Sequence, residues 1–218
     1  MIKQKPFLIL ACGALAKEII QLLSKHKVLF NLIDVQCLPA SYHNNPAKIA
    51  PELEILINKN IDIYEDIFVA YADCGTGFKI DNLINKYNIK RLPGAHCYEF
   101  FATRDKFNKV TEDSIGSFFL TDYLVKNFDR LVYKTLGLDK YPELLTSYFG
   151  NYTKVVYLMQ IENVNLINKA KEIAKKLNLK LQIEKTGFGD LKLALDYFVN
   201  KIQNKNTFEI GIKENVQS

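Results

Sequence analysis

Phe7-Leu8-Ile9-Leu10-Ala11-Cys12-Gly13-Ala14 decides the reading of the fold. Phe7 to Ala11 is a short apolar run bounded by Pro6 and Gly13, the pattern of a strand buried on both faces. Over 14–24, Leu15, Ile19, Leu22 and Leu23 recur at the spacing of one helix face. The same alternation continues along the chain. Strands are predicted over 28–35, 67–72, 89–92, 155–160 and 180–184. Helices are predicted over 46–58, 78–87, 114–136 with Gly137 as C-cap, 142–148, 163–177 and 189–202. Pro51 is tolerated in the helix over 46–58 if it lies in a first turn. Alternation of this kind predicts an α/β fold, a mainly parallel sheet or sheets flanked by helices.

Residues 1–203 read as a single α/β domain, or as two lobes around a cleft, and 204–218 as a polar tail, frayed or an edge strand over Phe208 to Ile212. Two segments echo each other, 8–14 and 69–76, each running strand, cysteine, glycine, helix. A duplicated pair of half-domains accounts for the echo. The general preference of strand-to-helix turns for glycine accounts for it equally well.

Of 218 residues, 48% are hydrophobic and 24% charged, ordinary for a chain with a sizeable core. The net charge of +5 comes from lysines dispersed among Asn and Ile, with only Arg91, Arg104 and Arg130 as arginines. That is a solvated surface and not the clustered footprint of a nucleic-acid binder. No apolar run has the length of a membrane span. The basic, then apolar, start breaks at Gly13 and continues as an amphipathic helix, so it reads as a first strand and not a signal peptide. Cysteines with no disulfide spacing fit a reducing cytoplasm.

Chemistry concentrates in three glycine-bearing loops that hold Cys12, Cys74 and Cys97. Ligands of open parallel sheets bind outside the carboxyl ends of the strands, where such loops gather. Thiolates are soft ligands for zinc or an iron–sulfur cluster, and three of them leave one position open for substrate. There is no CxxC pair, so spacing alone does not specify a metal; a cysteine is otherwise a small buried hydrophobe, the reading given to Cys37. The same thiols at helix N-termini also suit acid–base or nucleophilic work.

His96, Asp73 and Glu99 are the accompanying proton-transfer candidates. Against that stand an N-cap pair for His96 and Glu99 and an Asx-turn for Asp73. Gly13, Gly75, Thr76, Gly77, Gly187 and Gly189 are candidates to present backbone N–H groups to an anion, although neither glycine cluster is a P-loop or a dinucleotide fingerprint. His26 and His43 read as surface residues. Asp122, Lys126 and Asp129 read as a solvated ion-pair ladder, and the aromatic residues around them as core on a helix.

ACGALAKEI (11–19), YADCGTG (71–77), PGAHCYEF (93–100), FFLTDYLVKNFDRLV (118–132), LGLDKYPEL (136–144), YFGNYTKVVYL (148–158) and TGFGDL (186–191) together resemble domain-of-unknown-function family 1638, a prokaryotic group. The resemblance covers the chain from Leu8 to about Leu195. It implies a link to gene neighbourhoods for corrinoid-dependent methyl transfer from methylamines and betaines. The small-Cys-Gly turns are also similar to those of cofactor-independent aspartate/glutamate racemases, but the Asn of that family's first motif and the His after its second cysteine are missing.

Three readings are open. The first is a cytoplasmic enzyme with zinc or an iron–sulfur cluster on Cys12, Cys74 and Cys97, acting on a small molecule in methyl metabolism. The second is a metal-free two-thiol enzyme acting on a small acid. The third is an accessory protein that binds a corrinoid protein or a metal.

Overall fold

The computed structural model describes residues 7–26, 32–112 and 116–216. The chain divides into two compact units, Met1–Ala95 with Leu191–Ser218, and His96–Asp190. Both are α/β and both sheets are parallel.

In the first unit, β1 (Phe7–Cys12) is buried along its whole length. It pairs on one side with β2 (Ile33–Leu38) and on the other with β3 (Ile67–Ala70), which pairs in turn with β4 (Lys90–Arg91). Helices α1 (Ala16–Leu23), α2 (Ile49–Asn60) and α3 (Lys79–Lys86) make the crossovers. Pro51 sits in the first turn of α2, where its missing N–H costs nothing. Helix α8 (Gly189–Val216) brings Phe198 against Phe7 and Phe68, with ring centroids 6.2 and 5.4 Å away. It also brings Asp196 to 3.4 Å from His26, which is half-buried and not a bare surface residue. The strand order β2-β1-β3-β4 makes successive crossovers leave β1 in opposite directions, so the topological switch point lies between the carboxyl ends of β1 and β3.

The second unit holds β5 (Ser117–Thr121), β6 (Lys154–Met159) and β7 (Lys180–Lys185) in simple order. Helices α5 (Asp122–Phe128) and α7 (Val164–Lys176) pack together over one face, and α6 (Leu144–Phe149) adds Phe149 to that core. Helix α4 (Arg104–Glu112), which the sequence pattern did not announce, packs Val110 and Phe107 on the other face.

Four expectations change. The helix predicted over 114–136 is instead β5 followed by α5 and a π-helical turn, Asp129–Tyr133; residues 114 and 115 lie outside those described. Phe118 joins the core beneath α5 and α7, while Phe119 joins the opposite face. That two-residue period belongs to a strand. The strand expected over 28–35 begins at Ile33 among the described residues and runs on to Leu38. The polar tail continues α8 through Val216 in place of an edge strand. Finally, both echoing segments end strands of one four-stranded sheet, so they are neighbours and not counterparts in two lobes.

A polar lock joins the carboxyl ends of β5 and β6. Asp122 is 5% exposed, and its carboxylate accepts from the Tyr157 hydroxyl at 2.7 Å and from the Gln160 and Ile161 amides, both at 3.1 Å. Its own N–H donates to Gln160 Oε1 at 2.7 Å. Burial, and then the Asp122 carboxylate, push the Tyr157 hydroxyl far above its usual range, so it remains a donor. Asp122→Ala strands a buried hydroxyl and two amides at roughly 1–3 kcal/mol each. A loss of about 3 kcal/mol or more is expected in urea unfolding, with Asp122→Asn less damaging; a loss under about 1 kcal/mol would show that the lock carries no weight.

Candidate functional site

The site is built on the two strand ends beside the switch point. β1 delivers Cys12, 7% exposed, and the chain then turns through Gly13, whose N–H donates to Leu38 O at 2.9 Å. A Cβ at Gly13 would lie 2.9 Å from that same oxygen and 3.2 Å from Ala40 N, so only glycine lets the turn approach the end of β2. The turn closes through Leu15 N–H to Cys12 O at 2.8 Å and feeds α1.

β3 delivers the second loop. Cys74 is 8% exposed and has φ 48°, in the left-handed region that a non-glycine residue enters at a cost of about 1–2 kcal/mol. Its N–H donates to Ala95 O at 2.7 Å, and Asp73 N–H to Gly94 O at 3.0 Å. The Asp73 carboxylate then gathers the rest of the loop. Thr76 Oγ1 and Phe78 N–H donate to it at 2.7 Å and Gly77 N–H at 3.2 Å. Desolvation works against ionising Asp73, but those hydrogen bonds and the charge of Arg91 outweigh it and hold the carboxyl below its ordinary range. Arg91 itself is clamped by Asp81 through two bonds of 2.8 and 2.9 Å.

This geometry assigns Asp73 the Asx-turn role. Of the groups expected to hold an external anion, the Thr76 hydroxyl and the Gly77 amide bind this internal one. Phe78, at φ 62° and 69% exposed, closes the loop. Gly187 N–H donates to Met159 O at 3.3 Å, and a Cβ at Gly189 would lie 2.6 Å from Phe101 C. A left-handed backbone, φ 63°, accounts for Gly187, and close backbone packing for Gly189.

Cys97, His96 and Glu99 belong to the second unit. Cys97 opens a 3-10 turn, Cys97–Phe101, and Glu99 accepts the His96 N–H at 2.9 Å as in a capping box. The His96 ring stacks on Tyr98 at 4.9 Å, and Tyr98 on Phe119 at 5.2 Å. His43 is exposed in a 3-10 turn after β2.

Cys37 departs from the buried role expected of it. It is an exposed residue on edge strand β2, and enough protein surrounds the sulfur that desolvation, then Cys12, push its thiol pKa up. No disulfide joins the four cysteines. Among the described residues no group of three or more His, Cys, Asp or Glu side chains is gathered to hold a metal ion, and no helix is long and apolar enough to cross a membrane.

The sequence reading passed over two buried polar residues at this edge, Glu18 in the first turn of α1 and Tyr71 directly after β3. Glu18 lies three residues after Leu15 and four before Leu22, so its position on the buried side was available from the helical wheel.

Residues 37–195 match the family described as protein of unknown function (DUF1638). The chain belongs to that family. No curated protein and no solved structure matches it. Members of DUF1638 that share YADCGTG are expected to keep the Asp73 turn.

Asp73 has a folded pKa below its unfolded value, so its contribution is present above the unfolded pKa and is lost as pH falls through the folded one. Asp73→Ala should therefore lower the melting temperature by a constant amount above about pH 5, and the gap should narrow below about pH 4. A gap independent of pH would show that the carboxylate's charge does not hold the turn.

Proposed function

We propose that the DUF1638 chain is a thiol-dependent enzyme whose reactive groups, Cys12 and Cys74, act on a small molecule at the β1/β3 switch point. One observation carries the reading: a buried cysteine held in left-handed backbone conformation, on a loop fixed by an ionised aspartate. Strain of this kind is retained where surrounding structure over-determines it, and it clusters at functional sites. A nucleophile placed on a sharp strand-to-helix turn is a recurrent solution for presenting one atom beyond a sheet edge. Cys12 supplies the second thiol from the adjacent strand. With the Thr76 hydroxyl and the Gly77 and Phe78 amides engaged by Asp73, the reading rests on the thiols and not on an anion cradle.

The gene-neighbourhood association with corrinoid-dependent methyl transfer that the family resemblance implies sets the first assays: methylated amines and betaines, with and without a corrinoid protein. Zinc or an iron–sulfur cluster on these cysteines is the alternative use of the same thiols. Iron and zinc measured on anaerobically purified protein decide it. Stoichiometric metal lost from Cys12→Ser and Cys74→Ser, and retained by Cys37→Ser, would make the thiols ligands and not reactants.

Reactivity order is the direct test. Iodoacetamide, followed by peptide mass mapping, should modify Cys74 and Cys12 ahead of Cys37, although Cys37 is the exposed one. Labelling of Cys37 first, with Cys12 and Cys74 modified only on unfolding, would end the thiol-site reading.

A further inference from the structure

We infer that His43 is a substrate-binding residue of this site and holds the anionic end of the small molecule on which Cys12 and Cys74 act. The inference rests on the thiol-site reading and adds the charge of the substrate to it. After β2 the chain makes two 3-10 turns, Ala40–Asn44 and Pro46–Lys48, before α2 begins. These turns meet the two cysteine loops. A Cβ on Gly13, next to Cys12, would lie 3.2 Å from Ala40 N and 3.8 Å from Ala40 Cβ. A Cβ on Gly75, next to Cys74, would lie 3.5 Å from Pro46 Cγ. The connection therefore spans the β1/β3 switch point from one cysteine loop to the other.

His43 stands midway along that span, three residues from Ala40 and three from Pro46. In a 3-10 turn, side chains at i and i+3 eclipse, so His43 shares the face by which Ala40 meets Gly13. It is exposed there, open to a ligand arriving from solvent.

The charges on this connection suit an anion. From Val35 to Pro51 the chain has no Asp or Glu, while His43 and Lys48 can each carry positive charge. Lys48 Nζ lies 5.8 Å from the centroid of the Tyr42 ring, a contact that keeps this cation on the connection. Lys17 and Lys79, in the first turns of the helices that follow the two cysteine loops, are exposed. The acidic groups in the same loops and turns are committed elsewhere. Asp73 accepts from Thr76, Gly77 and Phe78, and Glu18 is buried in α1. A carboxylate brought to this edge meets an imidazole donor and positive charge.

Iodoacetate and iodoacetamide alkylate a thiolate by the same displacement of iodide and differ in charge. The ratio of their rates at one cysteine therefore cancels the thiolate fraction of that cysteine. Relative to 2-mercaptoethanol in the same buffer, the more reactive of Cys12 and Cys74 should favour iodoacetate by about threefold or more, the scale of an exposed charge pairing. His43→Gln should abolish that preference, and His43→Arg, which keeps a donor and a charge, should retain it.

A wild-type ratio equal to that of 2-mercaptoethanol, or one unchanged in His43→Gln, would overturn the His43 assignment and leave the thiol site standing. Folded protein in which Cys12 and Cys74 react with neither reagent would remove both. If His43→Gln does not fold, ring NMR of histidine-labelled wild type replaces it. Acetate titrated against chloride at equal ionic strength should shift His43 and leave His26 and His96 in place. Equal shifts at all three rings, or none at His43, would overturn the assignment.

Discussion

Strand β1 has no polar face. All six of its residues are buried, and it is hydrogen-bonded to parallel neighbours on both edges. A strand in that position needs cover above and below, so each connection must be a crossover helix. It also forbids polar chemistry along its length. The first place where β1 can present a reactive atom is its carboxyl end, at Cys12, and the order of its neighbours makes that end the switch point. The position of the candidate site is a consequence of what β1 excludes.

The two strand ends reach that edge by different physical means. Gly13 is required because the end of β2 comes so close that no Cβ fits. The loop after β3 is required to hold Cys74 and Phe78 in a conformation both disfavour, and one carboxylate does this by accepting from Thr76, Gly77 and Phe78. Isolated loops of this kind are costly in conformational entropy. An ionised acceptor with three donors offsets that cost more effectively than neutral groups do.

In the second unit the corresponding strand ends serve a different purpose. β5, β6 and β7 run in simple order with no reversal. Asp122, Tyr157 and Gln160 fill the carboxyl ends of β5 and β6 with a satisfied network in which each donor has its acceptor. The contrast separates two acidic residues that look alike in sequence, each just beyond a strand: Asp73 on a half-exposed loop, Asp122 in a buried lock.

Local pattern was enough for β1, β3, β6, α1, α3 and α7, because each is short, bounded by turn residues and uniform in period. It was also enough to pick out the cysteine loops, since strand–cysteine–glycine is a contiguous feature. The alternation of these elements set the α/β class. Tertiary structure decided whatever depends on who packs against whom. Phe118 and Phe119 became a strand because cores formed on both sides of them. Cys37 became exposed because β2 took the sheet edge. Asp122 became buried because Tyr157 and Gln160, some 35 residues away in sequence, arrived with donors. Periodicity reports a residue's own element, whereas burial and hydrogen-bond partners are properties of the neighbours, and a single local window does not contain them.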